Sequence, residues 1–185
     1  MWCCLVGSEM CIRDSEKVVS RIVSPMFDYL SSCEIPYRGV LYVGLMITED
    51  GDPNVVEFNV RFGDPECQIT LPLIKTDLFL LLKQAATDSL KDLEVDFYDA
   101  CALTVVLASE GYPADPIKGR KINGLDSRIP NVELGSSWIN FAGVKKSDGD
   151  YLASGGRVLS CSAMSDSLAS TAELAYDCLL YTSDA

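Results

Sequence analysis

The sequence predicts an α+β protein in which helices flank a hairpin and a small, largely antiparallel sheet with a covering helix follows. Two patterns predict this class. Apolar residues recur at helical spacing in parts of the first half, and short β-rich runs separated by turn formers fill the second half. Hydrophobic residues make up 48% of the 185-residue chain and charged residues 23%, values typical of a folded globular protein.

The first elements predicted are a helix and a hairpin. Apolar residues repeat at helical spacing from Glu16 to Ser32, and Pro25 should kink or split this helix. Runs rich in β-branched and aromatic residues, Tyr37 to Thr48 and Asn54 to Phe62, predict two strands. The turn formers at 49–53 lie between them, so the strands should pair antiparallel.

A second helix and a sheet domain come next. The stretch Asp77 to Leu90 predicts a helix, and Ser167 to Tyr176 predicts a last helix that covers one face of the sheet. We therefore expect two domains, residues 16–92 and 93–177, with a soft boundary near 93–99. The apolar face of the second helix should be Leu78, Leu81, Leu82, Ala85 and Leu90.

The two ends have a different texture. Residues 1–15 and 178–185 resemble translated library-adapter sequence and show neither a periodic apolar face nor a recognisable cap. We expect both segments to lie outside the fold, so that the gene continued on both sides. The alternative is a genuine amphipathic end segment.

The composition excludes several classes of function. The formal charge of −12 disfavours nucleic acids and anionic membrane surfaces as partners. The absence of histidine removes Ser/His and Cys/His dyads and most mixed zinc sites. Eight cysteines without a C-x-x-C pair favour free thiols in a reducing cytoplasm. A phosphate-bearing ligand would therefore need a bound cation or well-placed arginines.

One strand carries a candidate site. Alternation along 54–62 puts Glu57, Asn59 and Arg61 on one face. The carboxylate and the amide oxygen suit a hard cation such as Mg²⁺, and Arg61 could bind phosphate or stabilise charge during phosphoryl transfer. The alternative is a solvated strand face with weak ion pairs, which spacing alone favours. The opposite face should be core: Val56, Phe58, Val60 and Phe62.

A longer run decides between these interpretations. Residues 57–68, EFNVRFGDPECQ, resemble the signature of the phosphoribosylamine–glycine ligases, a family of ATP-grasp enzymes. The resemblance extends through 35–48, 111–119, 141–150 and 154–164. It implies that residues up to about 92 are the end of an ATP-grasp module, and that the remainder is the family's carboxyl-terminal domain. Phe141, Pro116 and the lead-in at 135–140 depart from the family pattern.

The resemblance also implies a function. Members use ATP and Mg²⁺ (or Mn²⁺) to join glycine to 5-phosphoribosylamine through a glycyl phosphate. Glu57 and Asn59 would bind the metal, and Arg61 would be the catalytic, charge-stabilising group. Gly63, Asp64 and Glu66 would support nucleotide or substrate binding. The fragment alone should be inactive; the alternatives are another ATP-grasp carboxylate–amine ligase and a non-catalytic binding module.

Overall fold

The computed structural model describes residues 16–35, 37–125 and 132–180. Of the segments expected to be foreign, 1–15 and the last five residues of 178–185 lie outside the described residues. The chain divides into two compact units, Met1–Gly63 with Thr76–Val95, and Asp64–Lys75 with Asp96–Ala185. Among the described helices, none has the length and apolar content needed to cross a membrane. The elements are α1 (Ser24–Ser32), β1 (Tyr42–Ile47), β2 (Pro53–Asn59), α2 (Cys67–Thr70), α3 (Leu78–Thr87), β3 (Cys101–Ala108), β4 (Lys121–Ile122), β5 (Ser136–Phe141), β6 (Val144–Ser147), β7 (Asp150–Ala153), β8 (Arg157–Ser165) and α4 (Leu168–Leu180).

The first unit contains the predicted helix and hairpin. A π-helical segment, Val19–Val23, leads into α1, and Pro25 lies in the first turn of α1, where its missing N–H is tolerated. The change of helix type therefore falls at the predicted interruption. Strands β1 and β2 pair antiparallel with a bulge after Gly44, which confirms the hairpin.

Helix α3 confirms the helix predicted beyond Asp77. Asp77 caps it by accepting a hydrogen bond from the Leu80 N–H at 2.8 Å. The predicted buried faces of α3 and β2 are largely wrong, because burial depends on what packs against an element and not on its pattern alone. Leu81 is buried, but the following are exposed: Leu82, Leu90, Val56, Phe58 and Val60.

The second unit holds the larger core. Strand β8 lies between β3 and β5 in one antiparallel sheet, and β4, β7 and β6 form a smaller one. Helix α4 packs on β3 and β8 and confirms the predicted covering helix. It reaches Leu180, and Cys178 is fully buried beside Leu159 and Cys161. Residues 178–180, the first part of the terminal segment that was expected to lie outside the fold, therefore belong to α4.

The segment at 135–140, which departs from the family pattern, contributes most of a regular strand. Residues Ser136–Phe141 form β5 and pair in continuous register with β8. Trp138 and Ile139 are both buried. Phe141 is exposed and stacks on Tyr151, with ring centroids 6.0 Å apart. The departures thus form ordinary packing contacts of the second unit.

Candidate metal and nucleotide site

Strand β2 carries the two predicted metal ligands, Glu57 and Asn59. Side chains two residues apart on a strand leave from the same face. Both residues lie within β2, which ends at Asn59. Glu57 is exposed and Asn59 is half-buried. The strand therefore brings a carboxylate and an amide together on one face of the hairpin.

Gly44 of the neighbouring strand makes room for Glu57. The two residues are register partners, and the bulge follows directly after Gly44. A Cβ atom at position 44 would lie 3.0 Å from the Glu57 Cγ, which is tighter than ordinary van der Waals contact. The missing side chain at Gly44 thus lets the Glu57 side chain lie against β1.

The donor set fits a hard divalent cation. Among the described residues no group of three or more His, Cys, Asp or Glu could hold a metal ion. Glu57 would supply a carboxylate oxygen and Asn59 an amide oxygen, and the other positions would be left to water or phosphate, as Mg²⁺ usually requires. The Asn59 Nδ2 is buried without a hydrogen-bond partner in the described part of the chain. An acceptor on a bound ligand would satisfy this donor, whose isolation costs about 1–3 kcal/mol.

Arg61 lies beyond the end of the strand on which it was predicted. Strand β2 stops at Asn59, and residues 60 and 61 form a bend, so period-two alternation no longer sets the direction of the Arg61 side chain. The exposed guanidinium donates a hydrogen bond from Nη1 to the Phe62 carbonyl at 2.8 Å. Its remaining N–H groups can serve a phosphate or carboxylate ligand.

The predicted supporting residues after Arg61, which are Gly63, Asp64 and Glu66, belong to different units. Gly63 is buried and ends the first part of unit one. Asp64 and Glu66 belong by packing to the second unit. The Asp64 carboxylate forms an ion pair with Arg157, and Glu66 precedes α2, where its carbonyl accepts from the Thr70 N–H at 3.0 Å.

Sequence reasoning missed two residues beside Asp64. Arg157 begins β8, and Gln68 lies on α2; both line an open cleft of about 180 Å³ together with Asp64 and Ser160. Gln68 stands within the signature run, which offered the only signal for it. Arg157 follows Gly155-Gly156, and its partner Asp64 lies 93 residues away in the sequence.

Two family models match the chain. Residues 6–67 match the phosphoribosylglycinamide synthetase ATP-grasp (A) domain, and residues 102–183 match the phosphoribosylglycinamide synthetase C domain. The two matches begin and end inside the terminal segments that resemble adapter sequence. The foreign origin of those segments stays a prediction.

Curated relatives include a phosphoribosylamine–glycine ligase and a trifunctional purine biosynthetic protein. A phosphoribosylamine–glycine ligase of Caldanaerobacter subterraneus subsp. tengcongensis is 40% identical over 160 residues, which are 86% of this chain and 37% of the relative. A trifunctional purine biosynthetic protein adenosine-3 of Gallus gallus is 42% identical over 153 residues, 82% of this chain and 15% of the relative. The chain thus spans little more than a third of the bacterial relative.

A solved structure agrees with the fold. The crystal structure of a phosphoribosylamine–glycine ligase from Thermotoga maritima covers 96% of this chain with a TM-score of 0.71 and 30% sequence identity, and the chain covers 41% of that protein. The fold class predicted from the sequence is therefore confirmed. The chain has the family's carboxyl-terminal domain and part of its ATP-grasp domain, and it belongs to the phosphoribosylglycinamide synthetase family.

Proposed function

We propose that this chain is part of an ATP-dependent ligase that joins glycine to 5-phosphoribosylamine through a glycyl phosphate. The products would be glycinamide ribonucleotide, ADP and phosphate. The observation that carries the proposal is the pair Glu57 and Asn59 on one face of β2 within the EFNVRFGDPECQ run. Two family models and relatives named for this reaction support it.

In the proposed site, Glu57 and Asn59 hold Mg²⁺ (or Mn²⁺). The cation would neutralise charge on the ATP phosphates, which a chain of net charge −12 otherwise repels. The Asn59 Nδ2, which has no protein partner in the described residues, donates to an oxygen of the bound ligand. Position and charge neutralisation dominate phosphoryl transfer, so a site without histidine is adequate.

Arg61 is the proposed charge-stabilising residue. Its exposed guanidinium can give two parallel hydrogen bonds to a phosphate or carboxylate once it leaves the Phe62 carbonyl. Gly63, Asp64 and Glu66 support the nucleotide or substrate from the backbone that follows. Because the Asp64 carboxylate is paired with Arg157, its part is to hold that backbone and not to contact a ligand directly.

We also propose that the active enzyme is longer than this chain. The first unit exposes many large apolar side chains, more than a finished monomer normally leaves in water. They include Phe27, Met46, Val56, Val60 and Phe79, each at least 58% exposed. A larger protein would cover part of this surface, in accord with the 37% coverage of the bacterial relative. Cys33 and Cys101 are free thiols, which suit a reducing cytoplasm.

The test is Glu57→Ala in the longer ligase that contains this segment. We expect turnover to be abolished and the dependence on Mg²⁺ to weaken, while the melting temperature stays within a few degrees because the carboxylate is exposed. Glu94→Ala is the matched control, since it removes another exposed carboxylate of the first unit and should leave the kinetics unchanged. Glycine ligation at the wild-type rate in Glu57→Ala would overturn the assignment.

A further inference from the structure

The segment directly after the proposed metal strand belongs by packing to the second unit. Residues Asp64–Lys75 group with Asp96–Ala185, although β2 and the bend at Arg61 are in the first unit. Helix α2, at Cys67–Thr70, contacts β3 and β8. The second unit therefore holds the chain beginning three residues after Arg61.

Arg157 holds the start of this segment with two hydrogen bonds. Its Nη2 donates to the Asp64 Oδ2 at 2.8 Å, and its Nη1 donates to the Asp64 carbonyl at 3.0 Å. The side chains are 37% and 55% exposed. A pair this exposed adds little to the free energy of unfolding. Its two-point geometry, however, fixes both the backbone and the side chain of Asp64.

Gln68 supplies a second, more buried attachment. Its Oε1 accepts hydrogen bonds from the Ser160 hydroxyl and from the Thr104 Oγ1, the latter at 3.2 Å. Ser160 is only 2% exposed. Burying a hydroxyl on a sheet face costs free energy unless the hydroxyl is hydrogen-bonded. Gln68 therefore pairs with one hydroxyl on β8 and one on β3.

The backbone at Arg157 is itself tightly placed. A Cβ atom at Gly143 would lie 2.7 Å from the Arg157 carbonyl oxygen, and a Cβ at Gly156 would lie 2.4 Å from the Tyr112 ring. The Ser109 N–H donates to the Gly156 carbonyl at 2.7 Å. These close contacts restrict the backbone at the start of β8, so the Arg157 side chain extends from a well-fixed backbone position.

We infer that Arg157 is a positioning residue of the ligase, with Gln68 as its second anchor. It acts through Asp64 and fixes the backbone three residues beyond Arg61. The inference rests on the proposed function for its catalytic consequence. The anchoring itself is a property of this chain and can be tested without any activity.

The first experiment measures amide hydrogen exchange in this chain with Arg157→Met. We expect exchange across residues 62–70 to accelerate about fivefold, the effect of losing roughly 1 kcal/mol, with no change in β3, β5 or the rest of β8. Arg120→Met is the matched control, because it removes an exposed ion pair with Glu110 in the same unit. Unchanged exchange at 62–70, or equal acceleration throughout the unit, would overturn the anchoring.

The second experiment measures kinetics in the longer ligase. Arg157→Met should lower kcat by up to about 100-fold, as small displacements of catalytic groups do, with less than twofold change in the KM for ATP. Arg157→Lys should restore part of kcat, and Arg120→Met should leave it unchanged. A normal kcat in Arg157→Met refutes the positioning role. If the wild-type ligase itself does not ligate glycine, the proposed function fails, and the exchange result still decides whether Arg157 anchors the segment.

Discussion

At the scale of single residues, Asp52 shows how charge fixes the tip of the hairpin. Its carboxylate accepts from the Lys17 Nζ at 3.1 Å and from the Arg21 Nη1 at 3.0 Å. The hydrogen bond and charge of Lys17, followed by the charge of Arg21, hold the pKa of the Asp52 carboxyl below its ordinary value. The turn between β1 and β2 is thereby tied to the helical segment before α1.

This pairing predicts a pH dependence. A depressed pKa in the folded state contributes stability above the unfolded pKa and loses it as the pH falls below about 4. Asp52→Asn should therefore flatten the loss of stability of the first unit in acid, measured by thermal unfolding at several pH values. The difference should shrink in about 1 M salt, because the pair is exposed. Asp50→Asn is the matched control; an equal flattening there would contradict the assignment.

Gly143 is a residue where no side chain fits. A Cβ atom would lie 2.7 Å from the Arg157 carbonyl and from the backbone of Gly155, neither of which can rotate away. Gly143→Ala should lower the free energy of unfolding of the second unit by about 3 kcal/mol, measured by urea unfolding. Gly119→Ala meets nothing within 4 Å and should cost only about 1 kcal/mol, for its positive φ. An equal loss of stability in the two variants would argue against the close approach of Gly143 to the backbone of Gly155 and Arg157.

Individual site residues differed in how far the sequence could predict them. Glu57 and Asn59 both lie inside β2, where alternation puts their side chains on one face. Alternation does not apply to Arg61, because β2 ends at Asn59 and residues 60 and 61 form a bend. The pairing of Asp64 with Arg157 joins positions 93 residues apart, and no local pattern reports such a contact.

At the scale of elements, the cap of α3 decides where that helix begins. The Asp77 Oδ1 accepts from the Leu80 N–H at 2.8 Å and satisfies one of the unpaired donors of the first turn. Asp77→Ala should reduce the stability of the first unit by about 1 kcal/mol, measured by the loss of helical circular dichroism on heating. Asp77→Ser keeps a capping oxygen and should recover most of it. Loss of equal size in Asp77→Ser would show that capping is not the cause.

Element positions were largely predictable and element burial was not. Local propensity and turn formers located α3, α4 and the hairpin within a few residues. Strand β2 forms a two-stranded sheet with β1, and its apolar residues stay exposed because a face is buried only when another layer covers it. A sequence pattern predicts which face of a strand is apolar, but it does not predict whether another layer of the protein packs on that face.

At the scale of the whole molecule, the two units differ in how many apolar residues they bury. The second unit encloses a core between β8 and α4, with Cys161 and Cys178 fully buried. The first unit contributes only Leu81 to the buried apolar residues of the described chain. The proposed metal site thus lies in the unit that buries less apolar surface, and the better-packed unit contains most of the chain that follows.

This imbalance predicts the behaviour of the isolated chain toward nucleotide. The proposed ligands Glu57 and Asn59 carry no positive charge, so apart from a bound cation they leave the charge on ATP unneutralised, and the net charge of −12 repels ATP further. Titration of the chain with Mg-ATP in a calorimeter should therefore give no saturable heat, which corresponds to a Kd weaker than about 1 mM and a binding free energy smaller than about 4 kcal/mol. The Glu57→Ala chain should give the same heats. A micromolar Kd that disappears in Glu57→Ala would show that this segment binds nucleotide by itself, and the requirement for a longer protein would fall.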